Sequence, residues 1–533
     1  VTRHIGFRAF AMGVVGLAAV AAPAFSGSTA AEPRSNGVVI VATTGRAGAA
    51  GTLAEPLATV AQALKQLPHG GTVELRGGVY DQRITISGRH DITIEPYHRE
   101  HVALDGTHLT APAGASAVVE IVDSTRITVA GLDISGYATL SAAAVPIGIY
   151  VHGAGSHITI RDDHVHDLGT YGGVPGNMGF NAHGIAVYGD RSHHPITDIT
   201  ITGNEVDRLS LGASEAVVVN GNVDGWWITH NDVHDDDNIG IDAIGYEQTI
   251  TGPARYTDAD RARHGEIADN TVDDISSADN AAYEQGHSNC DCADGIYVDG
   301  GTHIRIERNR VSHNDIGIEV AAENARGQAD HVTVADNDVW DSGIAGISTG
   351  GYCNGAPDCG GVRTGRSVDN VFVNNTLWND DTLGAGSPEF LVQYYARDDT
   401  IENDIIWAAD GEDPLIGTVP GAQRDGFSAR LVVDHNLYFT TGGTPATAIF
   451  GFLGRTYTGW RHYRLATGLD QHSRFENPDL VDPAGGDLDL RAGSPAIDAG
   501  LFLPRAVVGA RDVDHHPRTR HATIDVGADE YPG

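Results

Sequence analysis

The sequence predicts an all-β solenoid, and three observations carry that expectation. First, a seven-residue strand recurs without gaps: IGIYVHG (147–153), HGIAVYG (183–189), EAVVVNG (215–221), IGIDAIG (239–245), DGIYVDG (294–300), IGIEVAA (316–322) and AGISTGG (345–351). Its third and fifth positions are nearly always apolar, the period-two signature of a strand with one buried face. Second, a shorter pattern of strand, Asn and apolar residue recurs as ITITGNEV (199–206), WITHNDV (227–233), EIADNTV (266–272), IRIERNRV (304–311), VTVADNDV (332–339) and FVNNTL (372–377). Third, 533 residues exceed what one ordinary core sustains, and a repeat architecture accommodates that length.

The second pattern sets Asn204, Asn231, Asn270, Asn309, Asn337 and Asn375 in one column, with Asp163 in the same place earlier. Their spacing, 27 to 41 residues, is that of coils carrying loops of unequal length. An Asn at a turn satisfies local backbone groups and stacks on its equivalent one coil away, so this column reads as scaffold. Together the two patterns resemble a right-handed parallel β-helix of the pectin-lyase-like kind, as found in secreted bacterial carbohydrate-active proteins. The resemblance spans roughly residues 50–440.

The remaining segments fit around that solenoid, expected over 35–460. Residues 1–31 read as a secretory signal, with Arg3 and Arg8, the apolar stretch AFAMGVVGLAAVAA, and small-residue cleavage sites at 22–24 or 29–31. Next, GTLAEPLATVAQALKQL predicts a helix. Thr59 and Gln62 form a capping-box pattern, and Leu57, Val60, Leu64 and Leu67 share a face that would lid the open end of the stack. The C-terminal stretch 461–533, with NPDLVDPAGGDLDLRAGSPAIDAG and IDVGADEY, resembles the cap segment common on secreted bacterial β-helices.

Charge narrows the function. A formal net charge of −37 disfavours nucleic acid and anionic membranes as partners. No segment beyond the signal is long and apolar enough to span a membrane. The four cysteines fit an oxidising compartment. Cys353 and Cys359 flank NGAPD and are expected to close a small loop; Cys290 and Cys292 would form a strained bridge, and three connectivities are open.

Stacking the seven-residue strands gives two outward columns. The fourth positions read Tyr150, Ala186, Val218, Asp242, Tyr297, Glu319, Ser348; the sixth read His152, Tyr188, Asn220, Ile244, Asp299, Ala321, Gly350. Asp242, Asp299 and Glu319 thus gather on three successive coils, which lie about 4.8 Å apart. Carboxylates at such spacings perform glycosidic hydrolysis, one as acid and the other as base or nucleophile. Tyr297 sits between them to position a sugar, and Tyr188, Tyr246, Glu247 and Gln393 are expected to line the substrate. Asp236, Asp237 and Asp294 would either tune the neighbouring carboxyls or hold calcium.

Three functions follow from these columns. One is a polysaccharide- or oligosaccharide-degrading hydrolase that needs no cofactor. Another is a calcium-dependent polyuronate lyase. The resemblance implies Asp-Asp-Gly-x-Asp on such a strand, with a Lys base; here the matching register reads Asn238, Ile239, Gly240, Ile241, Asp242, and Lys65, the only lysine, lies in the lid helix. A lyase would therefore need an Arg base. The third is a carbohydrate-binding or adhesive β-helix without catalysis, for which clustered acids are not expected.

Overall fold

Alternation dictates the strands, and stacking dictates everything else. A computed structural model describes residues 37–173, 176–283, 291–355, 362–417, 430–452, 454–519 and 523–533. The expected signal at 1–31 lies outside them. Among the described residues the chain forms three long parallel sheets of 16, 13 and 11 strands. Each coil visits them in turn. Ile196–Thr202, Glu205–Asp207 and Val217–Gly221 make one coil, and Val223–Thr229, Asp232–His234 and Ile241–Ile244 the next. This is a parallel β-helix. Its interior is a continuous stack of aliphatic residues such as Ile185, Val217, Ile241, Ile296, Ile318 and Ile347, all fully buried.

The turn between the first and second sheets carries the Asn column. The preceding residue is left-handed each time, as at Gly203, His230, Asp269 and Arg308. That turn points the Asn side chain inward, where it bonds along the stack. Asn204 Nδ2 donates to Asn231 Oδ1 (2.9 Å), Asn231 to Asn270 (3.0 Å), Asn270 to Asn309 (3.0 Å), Asn309 to Asn337 (2.9 Å), Asn337 to Asn375 (2.9 Å) and Asn375 to Asp404 (2.9 Å). Each amide also donates to a strand carbonyl, as Asn270 does to Ile228 O at 2.9 Å. Asp163 extends the ladder, accepting from Leu132 N and donating its own N–H to Asn204. The scaffold reading of this column holds.

One core contact leaves no slack. Trp226 is fully buried beneath Gly265 of the next coil, where an added Cβ would lie 2.0 Å from the indole. Gly265→Ala is expected to cost about 1–3 kcal/mol of stability, as overpacked cores do. Urea unfolding checks it; unchanged stability would mean that the indole can move aside.

Both ends are closed. Helix Val60–Gln66 lies over the first strands, with Val60, Ala63 and Leu64 buried, and the Thr59 hydroxyl caps it by accepting from Gln62 N at 3.3 Å. It is shorter than the apolar pattern suggested, because Leu57 and Leu67 are buried from the flanking chain. At the other end a hairpin, Ile449–Phe452 with Arg455–Thr458, and helix Trp460–Thr467 stack Phe450, Tyr463 and Trp460 against Tyr438. The cap therefore begins before residue 461.

The residues after 478 do something else. They run back along the outside of the second sheet. Trp340, Trp378 and Trp407 form a column there, and Leu480, Leu488, Leu490 and Val526 cover it. Arg518, fully buried, meets Asp336 at 3.1 Å and Glu530 at 3.7 Å. This segment is a strap over the coils rather than a lid.

Candidate active site

The third sheet builds the site, and its register is the one the alternation predicted. Tyr150 pairs with Ala186, Ala186 with Val218, Val218 with Asp242, Asp242 with Tyr297, Tyr297 with Glu319, and Glu319 with Ser348. The sixth-position column departs from it. Pairing between strands Ile241–Ile244 and Asp294–Asp299 ends after Asp242, and Ile244 instead meets Gly300 in an antiparallel bridge. Asp299 still pairs with Ala321, and its carboxylate accepts from Glu323 N at 2.6 Å.

The column points outward from the coils as expected, and its acids are nonetheless buried. Asp242 is 1% exposed, Tyr297 3%, Asp299 4% and Glu319 6%. Long loops fold over this face and account for the burial. Ser276 and Ser277 of one loop are tied to the Asp315 carboxylate, and Asn280 Nδ2 reaches Gly212 O and Asp237 O at 2.6 and 2.7 Å. The loop carries Tyr283 to Glu323, Glu215 and Asp294. From another loop Tyr352 stands beside Glu323, Asp299, Glu319 and Glu247.

Six carboxyls converge: Glu215, Asp242, Asp294, Asp299, Glu319 and Glu323. In the five buried members burial is the first cause of raised protonation, and repulsion within the cluster adds to it; Glu323, crowded by protein and by Glu247 at the mouth, is raised as well. Glu319 and Glu323 rise to about 7 and Glu215 to about 8, while Asp242, Asp294 and Asp299 stand well above the ordinary range. Glu323 is itself exposed, so it belongs to the rim of the site. The Asp294 and Glu319 carboxyls meet, a contact that takes one shared proton between them. Ser348 Oγ (3.2 Å) and Gln393 Nε2 (2.8 Å) fix Glu319 from the next coils. Asp242 accepts from Asp299 N at 3.3 Å. Among the described residues no arginine or lysine enters these interactions.

The other expected residues fall into two groups. Tyr188 belongs to the site. It lies near Glu215 and Asp242, its hydroxyl is 3.3 Å from His183 Nε2, and Gln393 holds Glu319 as described. Glu247 is exposed near Glu323 and Asp299 at the rim. Tyr246, expected to contact substrate, is instead buried with its ring 5.0 Å from the Arg261 guanidinium, because the 246–262 insertion folds back onto Gly300 and Gly301. Asp236 and Asp237 also stand apart. Asp236 Oδ1 accepts from Leu209 N (2.8 Å), while Asp237 accepts from Leu211 N (2.6 Å) and Ser210 Oγ (3.1 Å), so both brace a turn. Of the three suggested calcium ligands only Asp294 joins the cluster. Cys353 is disulfide-bonded, as is Cys292; Cys359 and Cys290 lie outside the described residues.

Sequence reasoning missed Glu215, Glu323 and His183. His183, Glu215 and Asp294 all occupy the first position of the repeated strand, a column that was not read. His183 Nδ1 is 3.4 Å from Glu215 Oε2, and burial lowers its ring to about 4, so it is neutral near pH 7. Beside it opens a cavity of about 190 Å³ lined by Tyr150, Asn181, His183, Tyr188 and Ser214. A larger concavity of about 710 Å³, around Glu95, Arg99, Asp133 and Arg161, lies away from the third sheet and these acids.

Stacked parallel coils with an acid-lined third sheet place the chain among the right-handed parallel β-helix proteins. It belongs to the family of the uncharacterized protein YwoF of Bacillus subtilis (strain 168), to which it is 35% identical over 450 residues, covering 84% of this chain and 89% of that one. No family model matches. Among solved structures it is similar to the GH136 lacto-N-biosidase from Eubacterium ramulus, at 14% identity and a TM-score of 0.52 over 75% of this chain and 67% of that one. It is also similar to XylC in its complex with xylose, at 11% identity and a TM-score of 0.52 over 92% and 98%. At such identities the likeness is one of fold.

Proposed function

We propose that the chain is a secreted glycan-cleaving enzyme, a glycoside hydrolase whose reacting groups are Glu319, Asp242 and Asp299. The observation that carries this reading is a set of buried carboxyls on successive coils with no cationic partner among the described residues. Such an environment keeps one carboxyl protonated near pH 7, as protonation of a leaving glycosidic oxygen requires. Glu319, at about 7 and fixed by Ser348 and Gln393, is the general acid. Asp242 and Asp299 supply the base or nucleophile: each accepts a backbone N–H, which opposes the burial and repulsion that raise them and gives an anion there a partner. Tyr297 lies between Asp242 and Glu319 on the sheet, and the cavity beside Tyr188 has room for a sugar ring. The names of the lacto-N-biosidase and of the xylose complex are consistent with a sugar ligand on this fold.

The lyase alternative needs a base beside the uronate, and Lys65 lies in the helix over the first coils. A polysaccharide panel read by reducing ends and by ultraviolet absorbance separates the two. Reducing ends without absorbance, unaffected by chelator, support the hydrolase; absorbance that dies with chelator overturns it; no product on any glycan favours a binding protein. The pH profile adds a check. A general acid at about 7 predicts kcat/KM falling as pH rises through that value. A profile flat from pH 6 to 8 would remove Glu319 from the acid role.

A further inference from the structure

The strap after residue 478 brings carboxylates from separate segments against the second sheet. Asp338 stands on strand Asp338–Trp340, Asp489 on strand Asp487–Leu490, Asp512 and Asp514 in the turn before Pro517, and Asp529 near the C-terminus. The Asp489 and Asp514 carboxyls meet directly, and both face Asp529 and Asp338. Ligand atoms of Asp512, His516 and Asp529 lie within 4.8 Å of one another.

Two observations single out this cluster. Asp338 and Asp529 are 4% and 3% exposed, and each buries a carboxylate oxygen, Oδ1 in both, that has no hydrogen-bond partner. The remaining contacts are specific: Asp529 Oδ2 accepts from Leu490 N at 2.9 Å, which leaves Oδ1 to face the cluster, and Arg310 Nη2 meets Asp514 Oδ1 at 2.6 Å. One guanidinium against four facing acids leaves a strong local excess of negative charge. Asp512 is spent differently. Its oxygens accept from His516 N, Asp514 N and Glu530 N, so it shapes the turn that presents Asp514.

We propose that Asp338, Asp489, Asp514 and Asp529 bind one divalent cation of the calcium class, which ties the strap to the coils. Oxygen donors from converging carboxylates are the ligand set of a hard cation, and a half-exposed rim at Asp489 and Asp514 leaves places for water. His516 is the one nitrogen nearby, its Nδ1 3.4 Å from Asp512 Oδ2, which is too little imidazole for a zinc-type site. The site is remote from the acids of the third sheet and independent of their function.

The test uses the full chain, freed of metal with chelator, and follows thermal unfolding and limited proteolysis with and without calcium. Calcium is expected to raise Tm and protect the strap in the wild type and equally in Glu319→Gln. Asp489→Asn should weaken the apparent calcium affinity at least about tenfold, since charge count sets affinity in such sites. Should Asp489→Asn not fold, Asp514→Asn gives the same reading. A wild type indifferent to calcium overturns the proposal, as does a response that survives both variants or vanishes only in Asp242→Asn. Stabilisation by zinc that is lost in His516→Ala would overturn it in favour of a transition metal.

Discussion

Glu319→Gln is expected to lower glycan cleavage by about 10²- to 10⁴-fold, the usual worth of a positioned general acid, while leaving the fold intact. The substitution is isosteric, and a Gln oxygen can still accept from Ser348 Oγ and Gln393 Nε2. It removes one of six mutually repelling carboxyls, so the variant should be at least as stable as the wild type. The linkage has a definite sign. Glu215 and Glu319 are raised from the ordinary 4.5 to about 8 and 7 in the folded chain. Above pH 4.5 the folded state therefore holds protons that the unfolded state has released, and stability falls as pH rises toward 8. Glu319→Gln should flatten that fall. Full activity in the variant would place the acid elsewhere. Lost activity together with a lower Tm would make Glu319 a structural residue.

Asn270→Ala is the corresponding expectation for the scaffold. Truncation leaves the buried Asn231 N–H and the Ile228 carbonyl without partners, since both bond the Asn270 side chain. At about 1–3 kcal/mol for each unsatisfied buried group, the loss is about 2–6 kcal/mol. Asp stands on either side of the six-residue Asn run, at Asp163 and Asp404, and the side-chain relay stops at Asp404, which reaches the next member, Asn436, through its backbone N–H alone. An interior member must donate as well as accept, and a carboxylate only accepts. Asn270→Asp should therefore destabilise too. Urea unfolding of the two variants measures this; near-wild-type midpoints for both would show that water replaces the ladder.

How far the sequence foretells this molecule depends on what each feature rests on. Period-two alternation is local, so the register from Tyr150 to Ser348 was legible in full, and with it the gathering of Asp242, Tyr297 and Glu319. The Asn column was legible for the same reason. What failed was everything set by loops. Nothing in the spacing of Ser276 and Asn280 says that they anchor on Asp315 and Gly212 and so bury the acids. Tyr246 looked free because its partner, Arg261, enters from an insertion fifteen residues on. Glu323 follows the strand rather than lying on it, so no column contained it. The strap read as a cap because the three tryptophans it covers become a column only once the coils are stacked.

That strap changes how the solenoid comes apart. Stacked coils touch only their neighbours, so a bare β-helix can fray from either end one coil at a time. Here residues 480–531 join Arg305, Arg310, Asp336, Trp340, Asn374 and Trp407 through a single covalent stretch. Coils that are strangers in the stack thus share a fate. Peeling the C-terminal end must first release a segment fastened up to four coils away, which turns gradual fraying into one cooperative step. In a medium rich in proteases that raises the barrier to local opening, and the barrier, more than the depth of the native well, sets how long such a protein lasts.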